Sequence, residues 1–291
     1  MQDKKDLPQL QWFPGHMKKA QRIIEDNLKL VDVVIELLDA RIPYSSANPM
    51  LKEIIKDKPK VIVLNKSDLA DEKMTRHWLE YYKSQGVKSV AIDSVKGVGL
   101  KQLVSTVEEL ARPKTDKFIK QGAKPRSARC MILGIPNVGK SSLINRLAGA
   151  QRAKTADKPG VTRAKQWIKI ANSLDLLDTP GILWPKFEDI TVGLKLAFTG
   201  AINDDIYDME NVSLLLLDVL AKNYPDRLMD RFKLEGELPS DKIDLLELIG
   251  KKRGCLIKGG LIDYEKVERI LMNEFRAGKF GRISLDTPPE G

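Results

Sequence analysis

The stretch that decides the fold is Gly134-Ile135-Pro136-Asn137-Val138-Gly139-Lys140-Ser141-Ser142. It matches the pattern G-x-x-x-x-G-K-[ST], and it lies between an apolar segment, residues 129–133, and a segment able to start a helix, residues 142–147. The glycines permit a tight backbone whose N–H groups point at phosphate oxygens, Lys140 neutralises β and γ phosphates, and Ser141 supplies a hydroxyl to Mg²⁺. We therefore predict a phosphate-binding loop between a strand and a helix. The residues expected to contact the nucleotide here are Asn137, Val138, Gly139, Lys140, Ser141 and Ser142.

A second motif, Asn65-Lys66-Ser67-Asp68, follows a wholly apolar segment at residues 61–64. In GTP-binding domains such an Asp accepts hydrogen bonds from guanine N1 and N2, whereas adenine would leave the carboxylate unpaired. The motif therefore predicts GTP rather than ATP, with Asn65 joining the base loop to the phosphate loop and the stem of Lys66 packing on the base. The alternative for Asp68 is a helix cap, which leaves Asn65 and Lys66 unexplained.

A third loop, Ser94-Val95-Lys96-Gly97, follows the apolar segment at residues 87–92. It resembles the base-supporting loop of GTPases, usually S-A-K-G, with Val95 in place of alanine. Its value comes from its position, since the motif is degenerate. We expect Ser94 and Lys96 to support the guanine base.

Two segments after the phosphate loop predict the metal and γ-phosphate contacts. Asp178-Thr179-Pro180-Gly181 ends the apolar segment at residues 174–177, where Asp178 can reach Mg²⁺ through water and the Gly181 N–H can face the γ-phosphate. Pro159-Gly160-Val161-Thr162 offers the Thr162 hydroxyl to Mg²⁺ when a γ-phosphate is present. An ordinary turn with a surface threonine is the alternative for this segment. The predicted Mg²⁺ ligands are thus Ser141, Thr162 and, through water, Asp178.

The base motif precedes the phosphate loop, the reverse of the usual order in GTP-binding domains. Loops at the carboxyl edge of a parallel sheet converge however the strands are connected, so both motifs still meet one nucleotide. The chain therefore reads as an α/β, circularly permuted P-loop GTPase domain with a six-stranded, mainly parallel sheet. Its strands are predicted at residues 31–38, 61–64, 87–92, 129–133, 166–171 and 174–177.

The domain organisation follows from where this alternation stops. A helical pattern at residues 100–110 gives way to Pro113 and a basic stretch, so residues 112–128 are predicted to be the linker created by the permutation. Beyond Pro185 only helical patterns occur, with Asp263 as the expected cap of the last one. We predict a GTPase domain at residues 1–187, including a helical extension at 1–30, and a small all-helical domain at 188–291. The predicted helices of the second domain are residues 190–202, 212–223, 242–252 and 264–277.

Composition favours a polyanionic partner. The 291 residues carry a formal charge of +9, which suits RNA through phosphate contacts. Two basic stretches, residues 112–129 and 250–260, fit either RNA contact or a charged surface. The first residues lead into no apolar signal core and the longest apolar run, residues 214–217, is too short to cross a bilayer, so we expect a cytoplasmic protein with no membrane partner. Cys130 and Cys255, the only cysteines, are expected to be buried thiols.

The motif order, together with Trp12-Phe13-Pro14-Gly15-His16-Met17 and Asp39-Ala40-Arg41-Ile42-Pro43, resembles the ribosome biogenesis GTPase A family over nearly the whole chain. In that family a permuted GTPase domain precedes a helical RNA-binding domain, and the protein promotes late maturation of the bacterial large ribosomal subunit. The resemblance implies GTP and GDP, the large ribosomal subunit and its rRNA as partners. We expect a monomer when the protein is off the ribosome.

The resemblance also bears on catalysis. Ile182 stands where many GTPases place the glutamine that orients the attacking water, and an aliphatic side chain cannot do so. The family's substitute is the histidine of Pro-Gly-His-Met, which is His16; a polar residue at a helix start and an RNA contact are its alternatives. His16, Lys140 and Gly181 form the expected catalytic set. Asn137 resembles the asparagine that binds K⁺ in potassium-activated GTPases, with loop hydrogen bonding as the alternative.

Three functions are compatible with these features. The first is a slow GTPase, stimulated by the ribosome, that binds immature large subunits and is released upon hydrolysis. The second is an RNA-binding assembly module in which the nucleotide sets the conformation and hydrolysis is incidental. The third is a regulatory GTPase with a protein partner.

Overall fold

The computed structural model describes residues 15–122, 124–149, 167–170, 173–177, 183 and 189–289, with side chains from residue 21 onward. The chain divides into two compact units. The larger contains Trp12–Pro185 together with Ser284–Gly291, and the smaller contains Lys186–Ile283. Among the described helices, none is long and apolar enough to span a membrane.

The larger unit is built on one six-stranded sheet in the order β3-β2-β1-β4-β6-β5. Every neighbouring pair is parallel except β5 and β6, which are antiparallel. The central strands are buried along nearly their whole length, as their largely apolar sequences require in a sheet covered on both faces. The predicted fold class and the six predicted strands are confirmed. The strands are β1 (Val33–Asp39), β2 (Lys60–Asn65), β3 (Lys88–Ala91), β4 (Ala128–Leu133), β5 (Trp167–Ile170) and β6 (Leu174–Leu177).

Helices cover the sheet of the larger unit. The first packs through Ile24 and Leu28 onto a buried cluster that includes Val34 and Met131, while Trp78 belongs to a second buried cluster around Leu64. Because β1, β2, β3 and β4 run parallel, the loops that follow them lie at one edge of the sheet. The helices are α1 (Gly15–Leu28), α2 (Pro43–Ser46), α3 (Pro49–Ile55), α4 (Glu72–Ser84), α5 (Leu100–Lys120) and α6 (Lys140–Ala148).

The predicted linker at residues 112–128 is partly wrong, because α5 continues through Pro113 to Lys120. Proline removes one helical hydrogen bond and normally ends or kinks a helix. Here the turns beyond it are held by tertiary contacts: the Lys114 ammonium lies 2.8 Å from Asp32, and the Arg126 guanidinium lies over the Phe118 ring, 5.3 Å from its centre. Only the short segment after α5 is irregular.

Part of the basic stretch serves the fold. The fully buried carboxylate of Asp32 accepts two hydrogen bonds from Arg126, at 2.7 and 3.0 Å, and one from the Arg129 N–H. Burial alone would raise the pKa of Asp32, but the hydrogen bonds from Arg126 and Lys114 outweigh it and lower the pKa to about 2. Lys114 and Arg126 are therefore structural. The basic residues left exposed on the rest of the stretch include Arg112, Lys117, Lys120 and Lys124.

The smaller unit is a bundle of five helices in its described residues, one more than predicted. The additional helix is α9, an eight-residue helix that begins at Pro225, directly after α8, and buries Leu228 and Phe232. The helix predicted at residues 190–202 ends at Phe198, because Gly200 takes a left-handed φ of +76°. Asp263 accepts a hydrogen bond from the Lys266 N–H, so the predicted cap is confirmed. The helices are α7 (Ile190–Phe198), α8 (Met209–Asn223), α9 (Pro225–Phe232), α10 (Lys242–Lys252) and α11 (Tyr264–Arg276).

The C-terminal segment differs from the predicted boundary, which assigned it to the helical domain. Residues 284–289 lie against the larger unit, where the Asp286 carboxylate accepts hydrogen bonds from the Ser45 N–H at 2.7 Å and the Ser45 hydroxyl at 3.0 Å. The Leu285 N–H donates to the Arg41 carbonyl at 2.8 Å. The short helix α2 lacks a side-chain cap of its own, and Asp286 satisfies one of its free N–H groups. Both cysteines are buried thiols, as predicted.

Candidate nucleotide-binding site

The phosphate loop connects β4 to α6 at the carboxyl edge of the sheet. Gly139, with a φ of +101°, directly precedes the first turn of α6, so the N–H groups of a helix start lie at this loop. A Cβ on Gly139 would lie 2.2 Å from the Asn65 amide nitrogen, and one on Gly134 would lie 2.6 Å from the Leu37 carbonyl oxygen. Both glycines of the motif are therefore required by close contacts.

Lys140 lies where the phosphate motif predicts a cation. Its ammonium donates hydrogen bonds to the carbonyls of Gly134 and Ile135, at 3.0 and 2.6 Å, so the charge is held inside the curve of the loop. Ser141 and Ser142 follow in the first turn of α6 with half-buried side chains. A hydroxyl at a helix start, beside a cationic phosphate loop, fits a Mg²⁺ ion that takes most of its other ligands from phosphate and water.

Asn65 joins three loops, one more than the sequence predicts. Its fully buried amide donates to the Val138 carbonyl at 2.8 Å, and its side-chain oxygen accepts from the Ser94 N–H at 3.2 Å. One side chain thus fixes the base loop against both the phosphate loop and the base-supporting loop. The reversed motif order has not separated these elements in space.

The Lys66 ammonium is held by two partners, one in the phosphate loop and one at the end of β1. Its nitrogen donates to the Asn137 carbonyl at 2.8 Å and lies 3.0 Å from a carboxylate oxygen of Asp39. Asp39 is itself buried and accepts two hydrogen bonds from the Arg41 side chain, at 2.9 and 2.7 Å. Burial would raise the pKa of Asp39, but the charges of Arg41 and Lys66 hold that pKa well below its usual range. Asp39 and Arg41 thereby fix a lysine that the sequence predicts to pack on the base.

The sequence predicted no role at this site for Asp39 and Arg41, which belong to a segment that resembles the family. The position of Asp39 is itself a signal, because Asp39 ends β1 beside Asn65, its parallel neighbour on β2. A polar residue at that point of a parallel sheet lies at the edge where ligands bind.

Asp68 is not a helix cap. The residue that caps α4 is Asp71, whose carboxylate accepts a hydrogen bond from the Met74 N–H at 2.9 Å. The Asp68 side chain is half-buried, and no described residue hydrogen-bonds its carboxylate. The arrangement leaves this carboxylate available to a base.

The base-supporting loop is fixed from both sides by residues that sequence reasoning missed. The buried Asp93 accepts hydrogen bonds from the N–H groups of Val95 and Lys96, both at 2.9 Å, which is a local turn typical of Asp. Arg146 of α6 donates to the Lys96 carbonyl at 2.8 Å. Val95 is 75% exposed, so valine in place of alanine has no packing cost here. The turn pattern pointed to Asp93, whereas nothing in the sequence pointed to Arg146.

The remaining predicted site residues are only partly covered by the structure. Thr162, Asp178 and Gly181 lie outside the described residues, as does the side chain of His16, whose backbone is in the first turn of α1. Asn137 is exposed with a φ of +55°, and its carbonyl accepts from Lys66. In the described part of the chain, no cluster of three or more His, Cys, Asp or Glu residues is arranged to hold a metal ion.

A mainly parallel sheet whose edge joins a base loop to a later phosphate loop through Asn65 and Lys66 defines a circularly permuted P-loop GTPase. A family model described as 50S ribosome-binding GTPase matches residues 129–245. Ribosome biogenesis GTPase A of Priestia megaterium is 54% identical over 97% of this chain and 98% of its own length. The chain therefore belongs to the ribosome biogenesis GTPase A family, and it is a GTPase.

Further relatives agree with this assignment. Ribosome biogenesis GTPase A of Bacillus cereus is 51% identical over 97% of this chain and 95% of its own. The crystal structure of GNP-bound YlqF from T. maritima is similar with a TM-score of 0.64 and 30% identity, over 94% of this chain and 99% of that one.

Proposed function

We propose that the protein hydrolyses GTP in the late assembly of the large ribosomal subunit, binding that subunit through its rRNA and leaving it upon hydrolysis. It would act in the cytoplasm, as a monomer off the ribosome. The observation that carries the proposal is the pair of contacts by which Asn65 and Lys66 join the base loop to the phosphate loop, at 2.8 Å each. They support a single site able to read a guanine base and hold its phosphates together.

Each predicted residue has a proposed task in this site. Asp68 would accept hydrogen bonds from guanine, which gives specificity because adenine leaves a polar group unpaired. The helix start at α6 and the Lys140 ammonium would hold the phosphates. Mg²⁺, when bound, neutralises charge that develops on the phosphates. Its proposed ligands are Ser141, Thr162 and, through water, Asp178.

For catalysis we infer that His16 positions the attacking water while Lys140 and the Gly181 N–H stabilise the transferring phosphoryl group. His16 is carried by α1, which is anchored about two and three turns further on by the buried side chains of Ile24 and Leu28. Lys58 donates to the carbonyls of Leu28 and Val31 and so holds the end of this helix. An anchored helix is a suitable support for a side chain that must be placed accurately.

Binding to rRNA is supported by basic residues that the fold does not use. In the smaller unit Arg253 is structural, because it pairs with Glu274 and stacks on the Phe232 ring at 5.3 Å. Lys252 and Lys258 are exposed in the same stretch. Phosphate contacts by exposed lysines release counterions, so we expect subunit binding to weaken steeply as salt rises.

The test is GTP turnover with and without purified large subunits, for the wild type and for His16→Ala. We expect strong stimulation of the wild type by the subunit, and a His16→Ala protein that retains GTP affinity while stimulated turnover collapses. His77→Ala is the matched control, because His77 is the other histidine and is exposed on α4. Unchanged turnover in His16→Ala would remove His16 from catalysis.

The same variant separates the GTPase cycle from the assembly-module alternative, which the formal charge of +9 and the exposed lysines also support. If a His16→Ala protein that binds GTP without hydrolysing it supports subunit assembly as well as the wild type, then the nucleotide acts as a conformational ligand. Failure of assembly at normal GTP binding would favour hydrolysis as the functional step.

A further inference from the structure

The smaller unit contains a cavity of about 220 Å³ among helices α8, α10 and α11. Its lining combines three apolar side chains with two carboxylates and one aromatic ring. The lining residues are Glu210, Leu214, Ile243, Leu246, Tyr264 and Glu268. The cavity lies wholly within the smaller unit, so it is distinct from the nucleotide site.

Glu268 is the unusual member of this set. Its side chain is only 5% exposed, and none of the described residues donates a hydrogen bond to its carboxyl or pairs with it. A buried carboxylate without a partner is costly, and native proteins normally provide one. Burial, with the neighbouring charges of Glu210 and Asp208, raises the pKa of Glu268 to about 7. The carboxyl is therefore placed to gain a large stabilisation from a cation.

The lining of the cavity favours a cation that is carried on an apolar chain. Leu214, Ile243 and Leu246 offer apolar surface suited to an aliphatic stem, while Glu210 and Glu268 offer negative charge suited to its head. The Tyr264 ring adds an aromatic surface of the kind that attracts cations, and its hydroxyl donates to Glu247 at 2.5 Å. A methylene chain that ends in a guanidinium or ammonium group satisfies all three surfaces.

Other ligand classes fit less well. A divalent metal needs more ligands than the cavity supplies, and the described residues contain no cluster of three suitable side chains. A phosphate of RNA would be repelled by Glu210 and Glu268. Among macromolecules, a protein with a basic surface or extension provides the required side chain.

We propose that this cavity is a binding site for an arginine or lysine side chain of a basic protein partner, with Glu268 and Glu210 as its counter-charges. The apolar side chains of Leu214, Ile243 and Leu246 then cover the methylene stem of the bound side chain, and the carboxyl of Glu268 gains the partner that its own unit does not provide. The smaller unit would thus engage RNA through its exposed lysines and protein through this acidic cavity.

The test uses the full chain with isotope-labelled Leu and Ile methyl groups, titrated with N-acetylarginine methylamide. We expect saturable NMR shifts confined to the methyl groups that line the cavity. N-acetylcitrulline methylamide, which has the same shape without the charge, should produce at least about tenfold weaker binding. Equal responses to the two compounds would overturn the proposal, since the carboxylates would then contribute nothing.

Variants locate the site. Glu268→Gln keeps the size of the side chain and should weaken arginine binding by about tenfold, and Glu210→Gln, at the exposed rim, by about threefold. Glu237→Gln is the control, because Glu237 is exposed in the same unit and does not line the cavity. Wild-type binding by Glu268→Gln, with an unperturbed methyl spectrum, would refute the assignment. The experiment contains no nucleotide, so its outcome is separate from that of the GTPase proposal.

Discussion

Replacement of Glu268 by glutamine should stabilise the smaller unit at alkaline pH and leave it nearly unchanged at acidic pH. Glu268 is buried on α11, where Glu210 and Asp208 of α8 and Glu265 of its own helix add negative charge around it. Another acid near the cavity is Glu247 of α10, which accepts a hydrogen bond from the Tyr264 hydroxyl. Glutamine has nearly the same shape and cannot ionise, so it removes the buried charge with little change in packing.

The size of the effect follows from the pKa. Burial, then these neighbouring acids, raise the pKa of Glu268 from 4.5 to about 7, so the folded unit holds this proton where the unfolded chain has released it. Glu268 therefore costs no stability below about pH 4.5, and the cost grows as pH rises until it is complete above pH 7. A difference of this size corresponds to about 3 kcal/mol. Glu268→Gln should recover most of it at pH 8 and about a quarter of it at pH 5.

The assay must report on the smaller unit alone. All four tryptophans lie between Trp12 and Trp184, in the larger unit, so tryptophan fluorescence is unsuitable. Hydrogen exchange of core amides in α8 and α11, converted to opening free energies at pH 5 and pH 8, measures the required quantity. Glu237→Gln is the control for loss of an exposed charge in the same unit. A free-energy difference between variant and wild type that is the same at both pH values would refute the reasoning.

Three further outcomes concern the nucleotide site and the C-terminal segment. Gly139→Ala should weaken GTP binding at least about a hundredfold, whereas Gly149→Ala, also at a left-handed φ but in open space, should keep GTP affinity within about threefold; similar losses in calorimetry would contradict the predicted contact. Asp286→Ala should destabilise the larger unit by about 1–2 kcal/mol in urea unfolding followed by tryptophan fluorescence, and the exposed Thr287→Ala should not. If Asn137 holds K⁺, turnover should be faster in KCl than in NaCl of the same ionic strength, and equal rates would exclude that role.

The sequence predicted the sheet well because its central strands are continuous apolar runs bounded by glycine, asparagine and aspartate. Such runs are long enough to be recognised without knowledge of their neighbours. The prediction failed at Pro113, where local propensity ends a helix but Asp32, more than 80 residues earlier, holds its next turns through Lys114. It also missed α9, because this helix has only eight residues and begins at a proline directly after α8.

The site shows the same division between local and long-range information. Motif spacing identified Asn65, Lys66 and Lys140, because each lies directly after a recognisable strand or before a recognisable helix. One contact that holds the base-supporting loop depends on a pair far apart in the chain. Arg146 reaches the Lys96 carbonyl across 50 positions, and no local pattern encodes such a pair.

The reversed order of motifs has a structural consequence that the order alone does not reveal. The chain passes from the larger unit into the smaller after Pro185, shortly beyond the Asp178-Thr179-Pro180-Gly181 segment, and returns to the larger unit at Ser284. The second connection enters the site through contiguous contacts: Leu285 donates to the Arg41 carbonyl, Arg41 binds Asp39, Asp39 pairs with Lys66, and Lys66 donates to a carbonyl of the phosphate loop. If a γ-phosphate moved only the connection after Pro185, the connection at Ser284 would oppose that movement, because its contacts lead to Lys66 of the base loop.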